Sequence, residues 1–266
     1  MEAFVKKETL LKATGITLEF NGRKILRDVN FEIKDIIRPN VLQGQVVSLI
    51  GRSGIGKTQL FKILAGLRHP SSGQILVNAE QQPVKPGDMG VVPQNYYLFE
   101  WRKIQVILEM AVAKNKAIAP SDRKDAIKQY VNDFGLQDQL DKYPMQLSGG
   151  QRQRVSIIQQ LINGSNFLLL DEPFSGLDAI SIKQVMDVLL KVSLSDELKT
   201  LIIVSHDLLN TLALSDCAYI LGTEHGKEGA TITHTIDLIE KEMCWNKEIK
   251  KNLEFQKMVA DIENLL

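Results

Sequence analysis

Gly51-Arg52-Ser53-Gly54-Ile55-Gly56-Lys57-Thr58 is a glycine, four residues and then Gly-Lys-Thr, the spacing of a loop that wraps a phosphate chain. It follows Val46-Val47-Ser48-Leu49-Ile50, a short apolar run suited to a buried strand. It precedes Gln59 to Leu67, where Leu60, Leu64 and Leu67 recur at helical spacing. Strand, glycine loop and helix is the context such a loop requires. Glycines accept positive φ and carry no Cβ, so the backbone can curl with its N–H groups pointing inward at a polyphosphate. Lys57 then reaches the β and γ phosphates, Thr58 offers a hydroxyl to Mg²⁺, and the helix N-terminus adds partial positive charge.

The 266 residues suffice for one large domain, or a domain with a sizeable insert, without disulfide or metal staples. Thirty-two basic residues balance 32 acidic ones, so the net charge gives no argument for a nucleic-acid partner, and none is expected. Cys217 and Cys244 stand far apart without other metal ligands, which fits two ordinary thiols in a reducing compartment. Met1 to Lys12 lacks the apolar core of a signal peptide, and no apolar run reaches the ~18 residues of a membrane span. The expected place is the cytosol, or a membrane surface reached through a partner.

Leu11 to Phe20 and Ile25 to Ile33 alternate apolar with polar residues around Asn21-Gly22, a strong hairpin signal, and predict an antiparallel edge region. Asp35 to Gln43 reads as a loop, His69 to Gly73 as a helix end, Gln74 to Asn78 as a strand and Gln81 to Asp88 as a connector before the apolar Met89 to Val92. Between Asn95 and Gln146 strand patterns vanish. Helices are expected over Trp101 to Lys116 and Ser121 to Phe134, with Ser121 and Asp122 at the start of the second. Helices at Gln151 to Ile162, Ala179 to Val192 and Leu208 to Leu214 alternate with strands at Phe167 to Leu170 and Leu201 to Val204, implying parallel βαβ units. Gly222 to Gly229 reads as a charged turn. Ile236 to Leu266 reads as helix-rich, with Phe255, Met258, Val259, Ile262 and Leu266 on one face, a stripe to be docked on the protein's own core or used as a subunit contact.

Further elements lie where nucleotide chemistry needs them. Phe167 to Leu170 runs into Asp171-Glu172, placing two carboxylates at the end of a buried strand, where Asp171 can hold Mg²⁺ through water and Glu172 can polarise an attacking water. Leu147-Ser148-Gly149-Gly150-Gln151 is a second glycine loop at a helix start, with Ser148 as its N-cap. With these residues the chain resembles the ATP-binding subunit of an ATP-binding cassette (ABC) transporter. Gly51 to Thr58 and Phe167 to Glu172 match that family's Walker A and Walker B motifs, and Leu147 to Gln151 its signature. Gln94 after Val91-Val92-Pro93 matches the Q-loop, Ser175-Gly176-Leu177-Asp178 the D-loop and Ser205-His206-Asp207 the switch histidine. The order runs from about Leu11 to about Leu221.

The resemblance implies an α/β phosphate-loop fold, an ABC cassette with an N-terminal antiparallel β region and a helical insert. The expected division is a core of 1–94 and 147–232, a helical subdomain of 95–146 and a helical extension of 233–266. It also implies an ATPase that sandwiches two ATP between paired cassettes and drives a separate membrane permease from the cytoplasmic side. Glu172, His206 and Gln94 would be catalytic, and Thr58, Gln94 and Asp171 would hold Mg²⁺. Phe20, Gly51, Ser53, Gly54, Gly56, Lys57, Thr58 and Gln59 would bind nucleotide on one chain, and Ser148, Gly149, Gly150, Gln151 and Asp178 would reach it from the other. Phe20 stands where the family carries an adenine-stacking aromatic, although its alternation phase also suits burial. Tyr96, Tyr97, Phe99 and Trp101 are dense enough to serve as a permease-facing surface or to pack the insert on the sheet. Leu98, Trp101 and Arg102 loosely resemble the nitrate, sulfonate and taurine importers, with Glu100 replacing the usual proline, so that import of a small solute, with a substrate-binding protein alongside, is the expected direction. Export, or an ATPase of translation or DNA repair, is the alternative.

Overall fold

The computed structural model describes residues 5–37, 44–78, 80–195, 199–244, 246 and 248–266. Its first element is the hairpin of β1 (Val5–Phe20) and β2 (Arg23–Ile37). Asn21 and Gly22 both take positive φ, 50° and 77°, the backbone of a two-residue turn whose twist matches that of the strands. Both strands outrun their sequence signal, because register shifts along the pair interrupt strict alternation. Asp35 to Ile37 therefore belong to β2 rather than to the expected loop, and 38–43 lie outside the described residues.

β3 (Gln45–Ile50), buried throughout, leads into the glycine loop and α1 (Lys57–Leu64). β4 (Ser72–Val77), the two-residue β5 (Gln82–Pro83) and β6 (Met89–Val92) follow. No strand interrupts 95–146, which holds α2 (Ile104–Val112), α3 (Arg123–Asp133) and two short 3-10 turns. Trp101 to Lys103 stay outside α2, so the first helix there is shorter than its periodicity predicts. α2 buries Ile104, Ile107, Leu108, Ala111 and Val112 in a cluster shared with α4 (Gly149–Ile162).

The remaining elements are β7 (Phe167–Asp171), α5 (Ala179–Ser195), β8 (Thr200–Ser205), α6 (Leu208–Leu212), β9 (Cys217–Thr223), β10 (Ala230–Asp237) and α7 (Leu253–Leu265). Together the strands form one mixed sheet in the order β5-β4-β1-β2-β10-β9-β3-β8-β7-β6. β9, β3, β8, β7 and β6 run parallel, and β10 turns back antiparallel on β9. The helical extension expected from 233 is thus corrected: β10 continues to Asp237. Its register shift between Ile232 and His234 breaks the two-residue period that would have announced it.

Beyond β10, Asn252 caps α7 by accepting from the Phe255 N–H at 3.0 Å. Phe255, Val259 and Ile262 are buried against α6, β3 and β9, with Met258 and Leu266 packed at the edge, so the apolar stripe covers the protein's own core. Phe255 has no exposed surface. Phe255→Ala is expected to cost about 3–5 kcal/mol, read as a lower urea midpoint for the loss of α7 helicity.

Candidate active site

Parallel register decides what meets at the carboxyl edge of the sheet. In the neighbouring strands β3, β8 and β7, Ile50 pairs with Ser205 and Val204 with Asp171, while β6 pairs Val92 with Leu170 of β7. The glycine loop, His206, Glu172 and Gln94 each leave one of these strands within two residues of its end. They converge on an open cavity of about 420 Å³, also lined by Phe20, Ile25, Ser53, Gly54, Gly56, Lys57, Thr58 and Gln59.

The loop's shape depends on two glycines. Gly54 and Gly56 have φ of 80° and 113°, a region that side chains rarely adopt, and a Cβ on Gly56 would stand 3.1 Å from Ile25 Cγ2 and Leu26 Cδ2. Gly56 caps α1 without any side-chain bond, which leaves the first N–H groups of the helix turned toward the loop. Lys57 is 7 % exposed and donates to the carbonyls of Gly51 (2.8 Å) and Arg52 (3.1 Å).

Glu172 anchors the opposite wall. Its backbone is left-handed, with φ 51°, strain that a non-glycine residue keeps only where its surroundings impose it. The Glu172 N–H donates to Val204 O at 2.8 Å. Its Oε2 accepts from Ser205 Oγ (3.1 Å), the His206 N–H (3.2 Å) and His206 Nδ1 (2.8 Å), and Oε1 stands 3.4 Å from Lys57 Nζ. A carboxylate only accepts, so His206 Nδ1 bears the proton and Nε2 is left for another partner. Asp171, just before, has Oδ1 buried without a hydrogen-bond partner. Burial, reinforced by the adjacent Glu172 and opposed by Lys57 and Lys62, pushes its pKa up to about 6.

Phe20 is 42 % exposed on the cavity wall, with the Arg68 guanidinium 4.8 Å from its ring centroid, so it is not a core residue. Gln94 donates to Ser175 Oγ at 3.3 Å. Ser148 to Gln151 and Asp178 are not among the walls. Ser148 caps α4 reciprocally with Gln151, and Asp178 accepts from the Ser181 N–H (2.8 Å) and hydroxyl (3.0 Å). The two loops adjoin, since a Cβ on Gly150 would lie 3.3 Å from Ser181 Cβ and one on Gly149 3.5 Å from Leu177.

Beside Gln94, Tyr96 is buried, whereas Tyr97 and Trp101 are 73 % and 71 % exposed and Phe99 leans on Trp101 at 5.5 Å. Glu100 pairs with Arg152 on α4. Ile25, Arg68 and the hydroxyl of Ser205 are the contributors that sequence reasoning missed. The first two carry no motif, and Ser205 was visible only as the neighbour of His206.

The ABC transporter family model matches residues 35–175. An uncharacterized ABC transporter ATP-binding protein of Methanocaldococcus jannaschii is 34% identical over 229 residues, 85% of this chain and 80% of its own length. An aliphatic sulfonates import ATP-binding protein of Bacillus cereus is 32% identical over 204 residues, 77% of this chain and 76% of its own. Among solved structures, cbiO1 of Clostridium perfringens, part of the ABC transporter complex cbiONQ, superposes with a TM-score of 0.72 over 97% of this chain and all of that one, at 24% identity. With a family model over more than half its length and such relatives over most of both chains, the protein belongs to the ATP-binding subunits of ABC transporters, a family of ATP-hydrolysing enzymes.

Proposed function

We propose that this chain is the motor of an importer for a small solute, pairing with a second cassette to enclose two ATP and driving a separate permease. One observation carries the catalytic half: the phosphate loop, Glu172, His206 and Gln94 open onto a single cavity. Lys57 already spans that cavity between loop carbonyls and Glu172, so its ammonium is poised to exchange those partners for the β and γ oxygens of a triphosphate. Phe20, held from one side by Arg68, presents an aromatic surface for adenine.

The residues present suit Mg²⁺. A buried carboxylate oxygen without a partner on Asp171, the Thr58 hydroxyl and the Gln94 amide oxygen are the hard oxygen donors that ion takes, usually with water and phosphate completing its shell. Bound there, the ion would supply positive charge against the negative charge of the phosphates. Glu172 accepts a proton from the attacking water, and His206, with Nε2 left open, meets the γ-phosphate. Ser148 and Gly150, outside the cavity of their own chain, would close the partner's site, with Asp178 crossing beside them.

Tyr97, Phe99 and Trp101 form the exposed aromatic surface that a permease's cytoplasmic element would cover, and the sulfonate importer among the relatives supports import. No helix among the described residues is long and apolar enough to cross a membrane, in keeping with a peripheral subunit. Affinity capture of the tagged chain from detergent-solubilised membranes is expected to bring down a polytopic permease, and Trp101→Ala to release it. Recovery of soluble partners alone defeats the transport reading.

Glu172→Gln is expected to slow hydrolysis about 10²- to 10⁴-fold with ATP binding intact, measured by phosphate release and nucleotide retention; normal turnover removes Glu172 from the base role. Asp171→Asn tests the other carboxylate. Because the folded pKa of Asp171 lies above its ordinary value, its ionised form costs stability, and that cost develops as pH rises from about 4 through about 6. The nucleotide-free Asp171→Asn variant should therefore melt a few degrees higher than the parent at pH 8, with the gain shrinking toward pH 4.

A further inference from the structure

An unbroken run of polar contacts reaches Glu172 from the C-terminal segment. Lys250 lies in the 3-10 turn Ile249–Lys251 ahead of α7, and its ammonium donates to Asn210 Oδ1. Asn210 Nδ2 donates to Asp207 Oδ2 at 2.7 Å, and Asp207 Oδ1 caps α6 by accepting from the Asn210 N–H at 3.0 Å. The Asp207 N–H donates to Ser205 Oγ at 3.0 Å, and that hydroxyl donates to Glu172 Oε2.

The lysine sets the sense of the relay. An asparagine amide can turn either end toward a neighbour, but a donor fixed at Oδ1 forces Nδ2 to face Asp207. Both Asp207 oxygens are then held, and the turn carrying Ser205 and His206 has one arrangement. Lys250 is half-buried, with Nζ 3.1 Å from Met186 Sδ on α5, the helix that begins directly after Asp178. Burial lowers its pKa, and Asp207 works against that. Docking of Phe255, Val259 and Ile262 holds α7 against α6 and so keeps Lys250 within reach of Asn210.

We propose that Lys250 is a positioning residue for hydrolysis: through Asn210 and Asp207 its ammonium fixes the first turn of α6, and thereby the Ser205 and His206 groups that aim the Glu172 carboxylate. This rests on Glu172 being the base. The C-terminal segment is then a working part of the ATPase, and whatever loosens α7 slows turnover.

Lys250→Met keeps the aliphatic stem beside Met186 and removes the donor. In steady-state ATPase assays of the full chain, kcat is expected to fall about five- to twentyfold, with KM for ATP and nucleotide bound per chain within twofold of the parent. Asn210→Ala should show the same loss, and the double variant no further loss, since both cut one relay. Should Lys250→Met fold poorly, Asn210→Ala alone reads the same kcat against KM split. Unchanged kcat in either variant, losses that multiply in the pair, or a loss confined to nucleotide binding overturns the proposal. If Glu172→Gln is inactive while Lys250→Met is unchanged, this inference falls and the base assignment stands; if Glu172→Gln turns over normally, both fall.

Discussion

Glu172 sits on a left-handed backbone one residue beyond a buried strand, and its carboxylate is shared between Lys57 on one oxygen and Ser205 and His206 on the other. That arrangement requires three strands to end in register. A slip of one residue between β7 and β8 would carry Ser205 to the opposite face and take its donor from the buried Oε2 of Glu172, which costs more than a lost surface bond. The parallel sheet is therefore the device that makes the site. Strands buried throughout, such as β3, β7 and β8, give it the rigidity to hold strain at Glu172.

Local signals in the sequence were enough for this half of the molecule. The glycine loop between β3 and α1, the two carboxylates at the end of β7 and the Ser148 cap of α4 each depend on neighbours in the chain, and each has the local structure its residues suggested. Asn21-Gly22 fixed the hairpin for the same reason. Signals failed where tertiary pairing overrides local pattern. β10 was absorbed into a helical extension because a bulge breaks its alternation, and the strands of the hairpin ran past their expected ends. Trp101 to Lys103 share the helical pattern, but the helix begins only at Ile104, where burial against α4 starts to stabilise it. Arg68 beneath Phe20 and Lys250 beside Asn210 join residues about forty or more apart, which no local period encodes.

Charge at the site is balanced by very few groups. Asp171 and Glu172 are adjacent and mostly buried, and Lys57 is the cation between them and the glycine loop, with Lys62 acting on Asp171 from farther along α1. A triphosphate brought here adds several negative charges to a pair of carboxylates that already repel, so binding is favourable only if positive charge arrives with it. Burial and the adjacent Glu172 raise the Asp171 pKa, and on the proposed reading a divalent cation arriving with the nucleotide would meet its unpartnered oxygen.

Mechanical connection to the insert follows from the same economy of contacts. Gln94 belongs to the cavity wall and is bonded to Ser175, and two residues later Tyr96 enters the insert's core while Tyr97 and Trp101 face outward. On the other side, Glu100 pairs with Arg152 in the first turn of α4, and Gln153, fully buried, donates to Pro173 O next to Glu172 at 2.6 Å. A partner pressing on the exposed aromatics would thus act on the cavity along two routes, through Gln94 and through α4. The first route runs through the exposed Gln94–Ser175 bond beside the buried Tyr96, and the second through the half-buried Glu100–Arg152 pair to the buried Gln153, so each joins the insert to the cavity wall by paired side chains. On the proposed reading, this linkage is what lets ATP turnover and permease motion be two views of one rearrangement.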